Sequence, residues 1–163
     1  LQQSGKAFIP LEDELFCLQL YMDLEALRFE IPFAYEIHTN GIDTSNTLLP
    51  SLLLQPFVEN AIWHGLQGNK NVKGNIIINM SLQNSILHCK IADNGIGRTK
   101  ANSLAAKEEK DKTSLGIQLT EHRLQLTHSL NKEDAGVTIS DERNEYGEIA
   151  GTSVDIKIPV KVI

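Results

Sequence analysis

The sequence has few of the features that mark specialised classes of small protein. Its two cysteines, Cys17 and Cys89, lie far apart and form no C-x-x-C pair, so it predicts neither a disulfide framework nor a zinc site. No apolar run approaches the ~18 residues of a membrane helix. The first residues, Leu1 to Lys6, lack the basic-then-apolar order of a signal peptide and read as a start inside a longer chain.

The chain also lacks an excess of basic residues. It has 15 Lys and Arg against 21 Asp and Glu, a formal net charge of −6. Because nucleic acid is bound mainly through its phosphates, this charge balance predicts no nucleic-acid partner. It does not exclude a local site for a small anion. A length of 163 residues with 41% hydrophobic and 22% charged residues predicts one globular domain with its own core. The small number of cysteines predicts that the chain works in a reducing, cytoplasmic environment.

Three segments have the hydrophobic periodicity of helices. They are Leu11–Phe29, Leu52–Leu66 and Leu115–Leu130. Pro56 must lie in the first turn of the second helix or kink its axis.

Five segments have the composition or alternation of strands, and two of them form a hairpin around Gln83-Asn84-Ser85. The five strands are predicted over Phe33–His38, Asn75–Leu82, Ile86–Ala92, Val137–Ser140 and Thr152–Pro159. Together with the helices they predict an α/β (α+β) two-layer sandwich. Its mixed, mostly antiparallel five-stranded sheet carries helices on one face.

The segment Ile91 to Gly97 is the sharpest candidate for a ligand site. Asp93 ends a strand, and Gly95 and Gly97 follow it at once. Glycines let a ligand approach the backbone closely, and an ionised Asp accepts hydrogen bonds from groups such as the amino group of adenine. A strand that ends in an Asx-type turn explains the same residues without a ligand.

A second candidate lies on the helix Leu52–Leu66. Asn60 and His64 are four residues apart and share its polar side with Trp63. An amide oxygen suits Mg²⁺, which is usually shared with substrate phosphates. Glu59 could orient or deprotonate a hydroxyl group or water. A solvated helix face, with His64 near the helix end, is the alternative.

Two weaker candidates follow a charged loop over residues 98–113. Ser114 and Gly116 begin a helix, where free backbone N–H groups form an anion site. Ser114 as a plain N-cap explains them equally well. Gly151-Thr152 opens the last strand and also fits an ordinary hairpin turn.

The order of these motifs resembles that of the ATP-binding catalytic domain of bacterial sensor histidine kinases, in the GHKL superfamily with the Bergerat fold. The block from Leu54 to Gly65, which reads Leu-Gln-Pro-Phe-Val-Glu-Asn-Ala-Ile-Trp-His-Gly, is similar to the branch that signals to LytTR-type response regulators. This resemblance extends from about Phe8 to the end of the chain. It implies a domain over residues 31–163, preceded over residues 1–30 by a linker and the end of a dimerisation helix.

The resemblance implies ATP and Mg²⁺ as cofactors. Asn60 would hold Mg²⁺ at the triphosphate, and Asn60, Glu59 and His64 along that edge would be the catalytic residues. Asp93 would accept a hydrogen bond from the adenine amino group, supported by Thr152.

The remaining assignments concern the glycines and the phosphates. Gly95 and Gly97 would admit the nucleotide, residues 98–113 would form the ATP lid, and Ser114 and Gly116 would meet the phosphates. Arg98, Lys100 and Arg123 are equal candidates for neutralising phosphate charge.

Two departures from the family pattern stand out. Ser114 occupies a position that is usually glycine in the second glycine box. None of the five histidines has the Pro-His-Phe-x-x-Asn setting of the phosphoacceptor in this branch. The resemblance therefore implies an acceptor histidine, and any membrane sensor, upstream of Leu1.

The resulting hypothesis is a kinase domain that transfers the γ-phosphoryl group of ATP to a histidine on its own dimerisation segment. The intact protein would be a homodimer anchored in the bacterial inner membrane, with this domain in the cytoplasm and a response regulator as partner. The alternatives are a degenerate nucleotide-binding module that does not transfer phosphate, and another GHKL ATPase or serine kinase.

Overall fold

A five-stranded mixed sheet forms the centre of the computed structural model. The structure describes residues 7–67, 72–97, 118–119, 122 and 136–163. The strands are β2 Ala34–His38, β4 Asn75–Gln83, β5 Ile86–Asp93, β6 Gly136–Arg143 and β7 Ile149–Pro159. Their order in the sheet is β2-β4-β5-β7-β6. All five predicted strands are confirmed, and so is the α+β class. The charged loop lies outside the described residues, as does the third predicted helix except for residues 118, 119 and 122, which are helical.

The pairing of the strands explains how distant motifs meet. β2 and β4 pair in parallel, and the other neighbours are antiparallel. In this register Asp93 lies opposite Ile76 on one side and Thr152 on the other. The predicted alternation is confirmed, because one face of β4, β5 and β7 is buried in the core. Its buried members are Ile76, Ile78, Met80, Leu87, Cys89, Ile91, Val154, Ile156 and Ile158.

The first helix, α1, runs over Leu11–Ala26 and begins where the sequence predicts. It ends three residues before Phe29, because Arg28 and Phe29 donate backbone hydrogen bonds to the carbonyls three residues earlier. This tighter last turn closes the helix ahead of Pro32. Leu11, Leu18 and Met22 belong to the same hydrophobic cluster as the sheet. The boundary near residue 30 stays a prediction.

The second helix has two parts. α2 covers Gln55–Asn60 and continues as a π-helix over Ala61–Leu66. The predicted start at Leu52 is wrong, because Leu52 has a φ of +57°, outside the helical region. Pro56 lies in the first turn, where its missing N–H costs little. In the π-helical part, the N–H of Gln67 donates to the carbonyl of Ile62, five residues earlier, at 3.1 Å.

A second, smaller sheet was not predicted. It consists of β1 Phe8–Pro10, β3 Thr47–Pro50 and β8 Lys161–Val162, in the order β1-β3-β8. These strands have two to four residues, too few to show alternation. Through this sheet, both ends of the described chain pair with the segment that precedes α2. No helix among the described residues is long and apolar enough to cross a membrane.

Candidate functional site

Asp93 lies at the end of β5 as a buried carboxylate with 8% exposure. Its Oδ1 accepts a hydrogen bond from the backbone N–H of Gly95 at 2.9 Å. This contact is the Asx-type turn that the sequence allowed as an alternative. The turn does not exclude a ligand, since a carboxylate can accept further hydrogen bonds.

The environment of Asp93 changes its acidity. Burial raises the pKa of its carboxyl group to about 6, while the backbone N–H groups of Gly95 and Thr152 lower the pKa by a smaller amount. A buried carboxylate with a perturbed pKa is a candidate functional group. At neutral pH it is mostly ionised and acts as an acceptor.

Three glycines surround Asp93 because backbone segments approach one another closely there. A Cβ on Gly65 would lie 2.6 Å from Oδ1 of Asp93. A Cβ on Gly95 would overlap the backbone of Gly65, and one on Gly151 would overlap the carbonyl oxygen of Asp93. The N–H of Ile96 also donates to the carbonyl of Gly65 at 3.3 Å. The π-helix, the turn after β5 and the start of β7 therefore meet at Asp93.

This packing gives Gly95 a structural role that the sequence did not reveal. Gly95 is buried against Gly65, so protein contacts alone already require a glycine there. Gly97 has a φ of +81° and lies beside Ile149. That both glycines admit a nucleotide stays a prediction.

Asn94 fixes the same turn to the neighbouring strand. Its Oδ1 accepts a hydrogen bond from the N–H of Asn75 at 2.6 Å, and its Nδ2 donates to the carbonyl of Lys73 at 3.0 Å. The turn after β5 is thereby linked to the start of β4. The sequence motif includes Asn94, but sequence reasoning assigned it no role.

The polar residues predicted on the second helix lie before Gly65. Glu59, Asn60 and His64 are half-buried, and Trp63 is 41% exposed. Gln55 Nε2 donates to Glu59 Oε1 at 3.0 Å, which holds this carboxylate along the helix. Asn60 is the last residue of α2, where α-helical geometry gives way to π-helical geometry. Such π-helical turns frequently occur at functional sites.

Helix α1 supports this region from the side. Burial raises the pKa of Tyr21 to about 12, a hydrogen bond with Trp63 lowers it, and the charge of Glu59 raises it further. Tyr21 is therefore near both side chains. The guanidinium group of Arg28 lies 6.0 Å from the Trp63 ring centroid.

Glu14 of α1 is a second buried carboxylate that the sequence did not single out. It is 2% exposed and accepts hydrogen bonds from the N–H groups of Leu52 at 2.8 Å and Leu54 at 3.1 Å. It thus fixes the loop that leads into α2. The sequence analysis noted only an acidic first turn of α1. Position 14 is three residues after Leu11 and four before Leu18, so helical spacing places Glu14 on the buried face and was the signal that distinguishes it from Glu12 and Asp13.

The site contains few side chains that could bind a metal by themselves. Among the described residues, no group of three or more His, Cys, Asp and Glu could hold a metal ion. Asn60 supplies one amide oxygen, which fits a Mg²⁺ ion that takes its other ligands from water and phosphate. Ser114 and Gly116 lie outside the described residues, so their predicted contacts with phosphate stay predictions.

Comparison with known proteins supports the fold and the family that the motifs indicate. The chain is 31% identical over 165 residues to the sensor protein LytS of Bacillus cereus, covering 99% of the chain and 26% of that protein. It is 30% identical over 129 residues to the sensor histidine kinase YpdA of Escherichia coli, covering 74% of the chain and 21% of YpdA. The chain belongs to the sensor histidine kinase family. It spans about a quarter of the length of these relatives. No protein-family model matches it.

Solved histidine kinases share the fold at low sequence identity. A mycobacterial sensor histidine kinase, MprB, matches with a TM-score of 0.64 and 10% identity, covering 98% of this chain and all of that one. The Acinetobacter baumannii histidine kinase AdeS matches with a TM-score of 0.61 and 14% identity, and the match covers 97% of this chain and 70% of the AdeS chain. At these identities the likeness establishes the fold alone.

Proposed function

We propose that this chain binds ATP with Mg²⁺ as the catalytic domain of a sensor histidine kinase. The observation that carries the proposal is the buried Asp93, whose carboxylate is fixed at the end of β5 by backbone contacts. Such a carboxylate accepts a hydrogen bond from the amino group of adenine and repels the carbonyl oxygen that guanine carries at the same position. Thr152, paired with Asp93 across the sheet, would support the base.

The phosphates would extend toward the second helix. Asn60 would contribute an oxygen ligand to Mg²⁺, and Glu59 and His64 would line the same edge. Ser114 and Gly116 would offer backbone N–H groups to the phosphates, with Arg98, Lys100 and Arg123 as candidate cations. Mg²⁺ would neutralise phosphate charge when bound.

The phosphoryl acceptor would be a histidine on the protein's own dimerisation segment. The bond from the γ-phosphorus to the β–γ bridging oxygen breaks, a bond to an imidazole nitrogen forms, and ADP leaves. The imidazole N–H proton passes to a base, for which Glu59 is the candidate.

The relatives support the wider setting of this proposal. LytS and YpdA are named as sensor proteins, and the structure of the histidine kinase ThkA in complex with the response regulator TrrA matches this chain with a TM-score of 0.51. We extend this to a response regulator partner, of the LytTR type given the similarity to LytS. The intact protein would be a membrane-anchored homodimer with this domain in the cytoplasm.

Calorimetric titration of the 163-residue chain with a non-hydrolysable ATP analogue, with and without Mg²⁺, tests the proposal. We expect binding in both conditions and higher affinity with the metal. In a longer protein that includes the acceptor, we expect acid-labile phosphohistidine from ATP. Binding without any phosphoryl transfer would indicate a degenerate module, and acid-stable phosphoserine or free phosphate alone would indicate a different GHKL activity.

A further inference from the structure

The residues that follow helix α1 place a cation against the helix that carries Asn60. The guanidinium group of Arg28 lies 6.0 Å from the centroid of the Trp63 ring. Trp63 comes three residues after Asn60 and directly before His64, so it lies along the edge at which the phosphates are proposed to bind. The sequence motifs gave no role to Arg28, because it lies outside all of them.

Contacts on two sides hold Arg28 at this edge. Its Nη1 lies 3.6 Å from Oε1 of Glu25, three residues earlier, whose side chain is only 14% exposed. Oε2 of Glu25 is buried and has no hydrogen-bond partner among the described residues, so the charge of Arg28 compensates this carboxylate. On the other side, the ring of Trp63 is itself held by its hydrogen bond with Tyr21 of α1.

The guanidinium group of Arg28 is still accessible to a ligand. The side chain of Arg28 is 64% exposed. A separation of 3.6 Å from Glu25 is longer than a hydrogen bond between these groups, so this contact leaves the N–H donors of Arg28 available. A guanidinium beside an aromatic ring keeps the N–H groups of its edge free, and their fork matches the oxygens of a phosphate.

The charges around Tyr21 show why this edge needs a cation. Burial is the main cause of the raised pKa of Tyr21, and the charges of Glu59 and Glu25 add to it. The charge of Arg28 lowers the same pKa, so the three charged groups lie near one hydroxyl group. Two carboxylates repel an anionic triphosphate, and Arg28 offsets that repulsion at the edge that the phosphates would follow.

Other described cations are engaged elsewhere. Lys90 forms an ion pair with Glu142 at 3.2 Å. Arg143 Nη1 donates to the carbonyl of Gly147 at 2.7 Å in the turn between β6 and β7. Arg28, by contrast, keeps its donors free beside the second helix.

We propose that Arg28 binds the phosphates of the nucleotide through the N–H groups of its guanidinium, with Trp63 as the residue that positions it. This inference rests on the proposed binding of ATP. It adds a cation from the end of α1 to the candidates Arg98, Lys100 and Arg123, which lie outside the described residues. The segment after α1 thereby contributes directly to the nucleotide site.

Calorimetric titrations with a non-hydrolysable ATP analogue and with adenosine separate phosphate contacts from base contacts. For Arg28→Ala in the 163-residue chain, we expect about a tenfold loss of affinity for the analogue and unchanged affinity for adenosine, which has no phosphate. Arg28→Lys should lose about threefold, because it keeps the charge but not the fork. Lys157→Ala removes the same charge from an exposed position of β7, and this control should bind both ligands normally.

The two ligands distinguish a phosphate contact from an effect on the fold. Unchanged affinity of Arg28→Ala for the analogue would overturn this inference and leave the proposed function intact. Equal losses for the analogue and for adenosine would also overturn it, because a phosphate contact cannot affect adenosine. A native chain that binds neither ligand would overturn the proposed function, and this inference with it.

A double-variant cycle tests the positioning role of Trp63. Trp63→Leu removes the aromatic face beside the guanidinium, so we expect about a threefold loss of affinity for the analogue. In the Arg28→Ala background the same substitution should cause no further loss, since no guanidinium is left to position. Losses that add in full would contradict this role of Trp63 and indicate that it acts on the nucleotide independently of Arg28.

Discussion

Asp93 and Asn60 belong to the same candidate site, yet the protein surrounds them very differently. Asp93 is almost fully buried, and backbone groups of Gly95 and Thr152 fix its carboxylate. Asn60 is half-buried at a change of helix type. The half proposed to recognise the base is thus formed by the fold itself, whereas the half proposed to bind Mg²⁺ depends on ligands that the nucleotide would supply. Variants at the two positions should therefore differ in their dependence on Mg²⁺.

Asp93→Asn should have the largest effect. The amide presents a donor or a weaker acceptor to the adenine amino group, so we expect about a 100-fold loss of affinity for the ATP analogue, equal with and without Mg²⁺. Thermal stability should be retained, because the variant no longer buries a charge. Calorimetry and thermal melting measure the two quantities. Asp155→Asn, at an exposed position of β7, is the matched control and should bind normally.

Gly65→Ala tests the close packing around Asp93. The added Cβ would lie 2.6 Å from Oδ1 of Asp93, so the helix or the carboxylate must shift. We expect the free energy of unfolding to fall by about 2 kcal/mol, roughly 30-fold in the unfolding equilibrium. Urea denaturation measures this loss. Gly136→Ala, where a Cβ meets nothing within 4 Å, is the control, and equal stability of both variants would contradict the packing account.

Asn60→Ala should affect the metal-dependent half of the site. Because Asn60 would donate one oxygen ligand to Mg²⁺, we expect about a tenfold loss of affinity with Mg²⁺ and little change without it. Titrations in Mg²⁺ and in EDTA distinguish the two conditions. Asn79→Ala, on the exposed side of β4, serves as control. Equal losses with and without the metal would exclude Asn60 as its ligand.

Lowering the pH should have the smallest effect. In the folded protein the pKa of Asp93 is about 6, above its ordinary value of 3.8. Asp93 therefore makes its full contribution to the free energy of unfolding below pH 3.8, and this contribution is lost as the pH rises through 6. Nucleotide binding changes in the opposite direction, because it needs the ionised carboxylate. From pH 7.5 to 5.5 we expect about a fourfold loss of affinity. Asp93→Asn should remove this dependence, and its persistence in that variant would assign it to another group.

The fold was largely predictable where many residues repeat one pattern. The strands of the main sheet follow from alternating buried residues, and the start of α1 follows from its periodicity and acidic first turn. The small sheet was not predictable, since strands of two to four residues carry no period and pair only with distant segments. The π-helix over Ala61–Leu66 has the same apolar spacing as an α-helix, so sequence could not distinguish the two.

The candidate site was predictable as a set of motifs but not as a set of contacts. The sequence identified Asp93, yet its burial depends on Gly65 and Gly151, which approach it from distant parts of the chain. Helical spacing places Glu14, unlike Glu12, on the buried face of α1, but only the tertiary structure shows that it accepts hydrogen bonds from the loop before α2. Periodicity identifies faces of helices, but close approaches of backbone depend on the assembled fold.

Discrimination between adenine and guanine nucleotides tests the proposed role of Asp93. Because Asp93 is proposed to accept a hydrogen bond from the amino group of adenine, we expect the chain to bind a non-hydrolysable ATP analogue at least about 100-fold more tightly than the matching GTP analogue. Both titrations use the same protein with Mg²⁺ at pH 7.5. Asp93→Asn should reduce this ratio to near one. Equal affinities for the two analogues in the native chain would show that Asp93 does not recognise the adenine amino group.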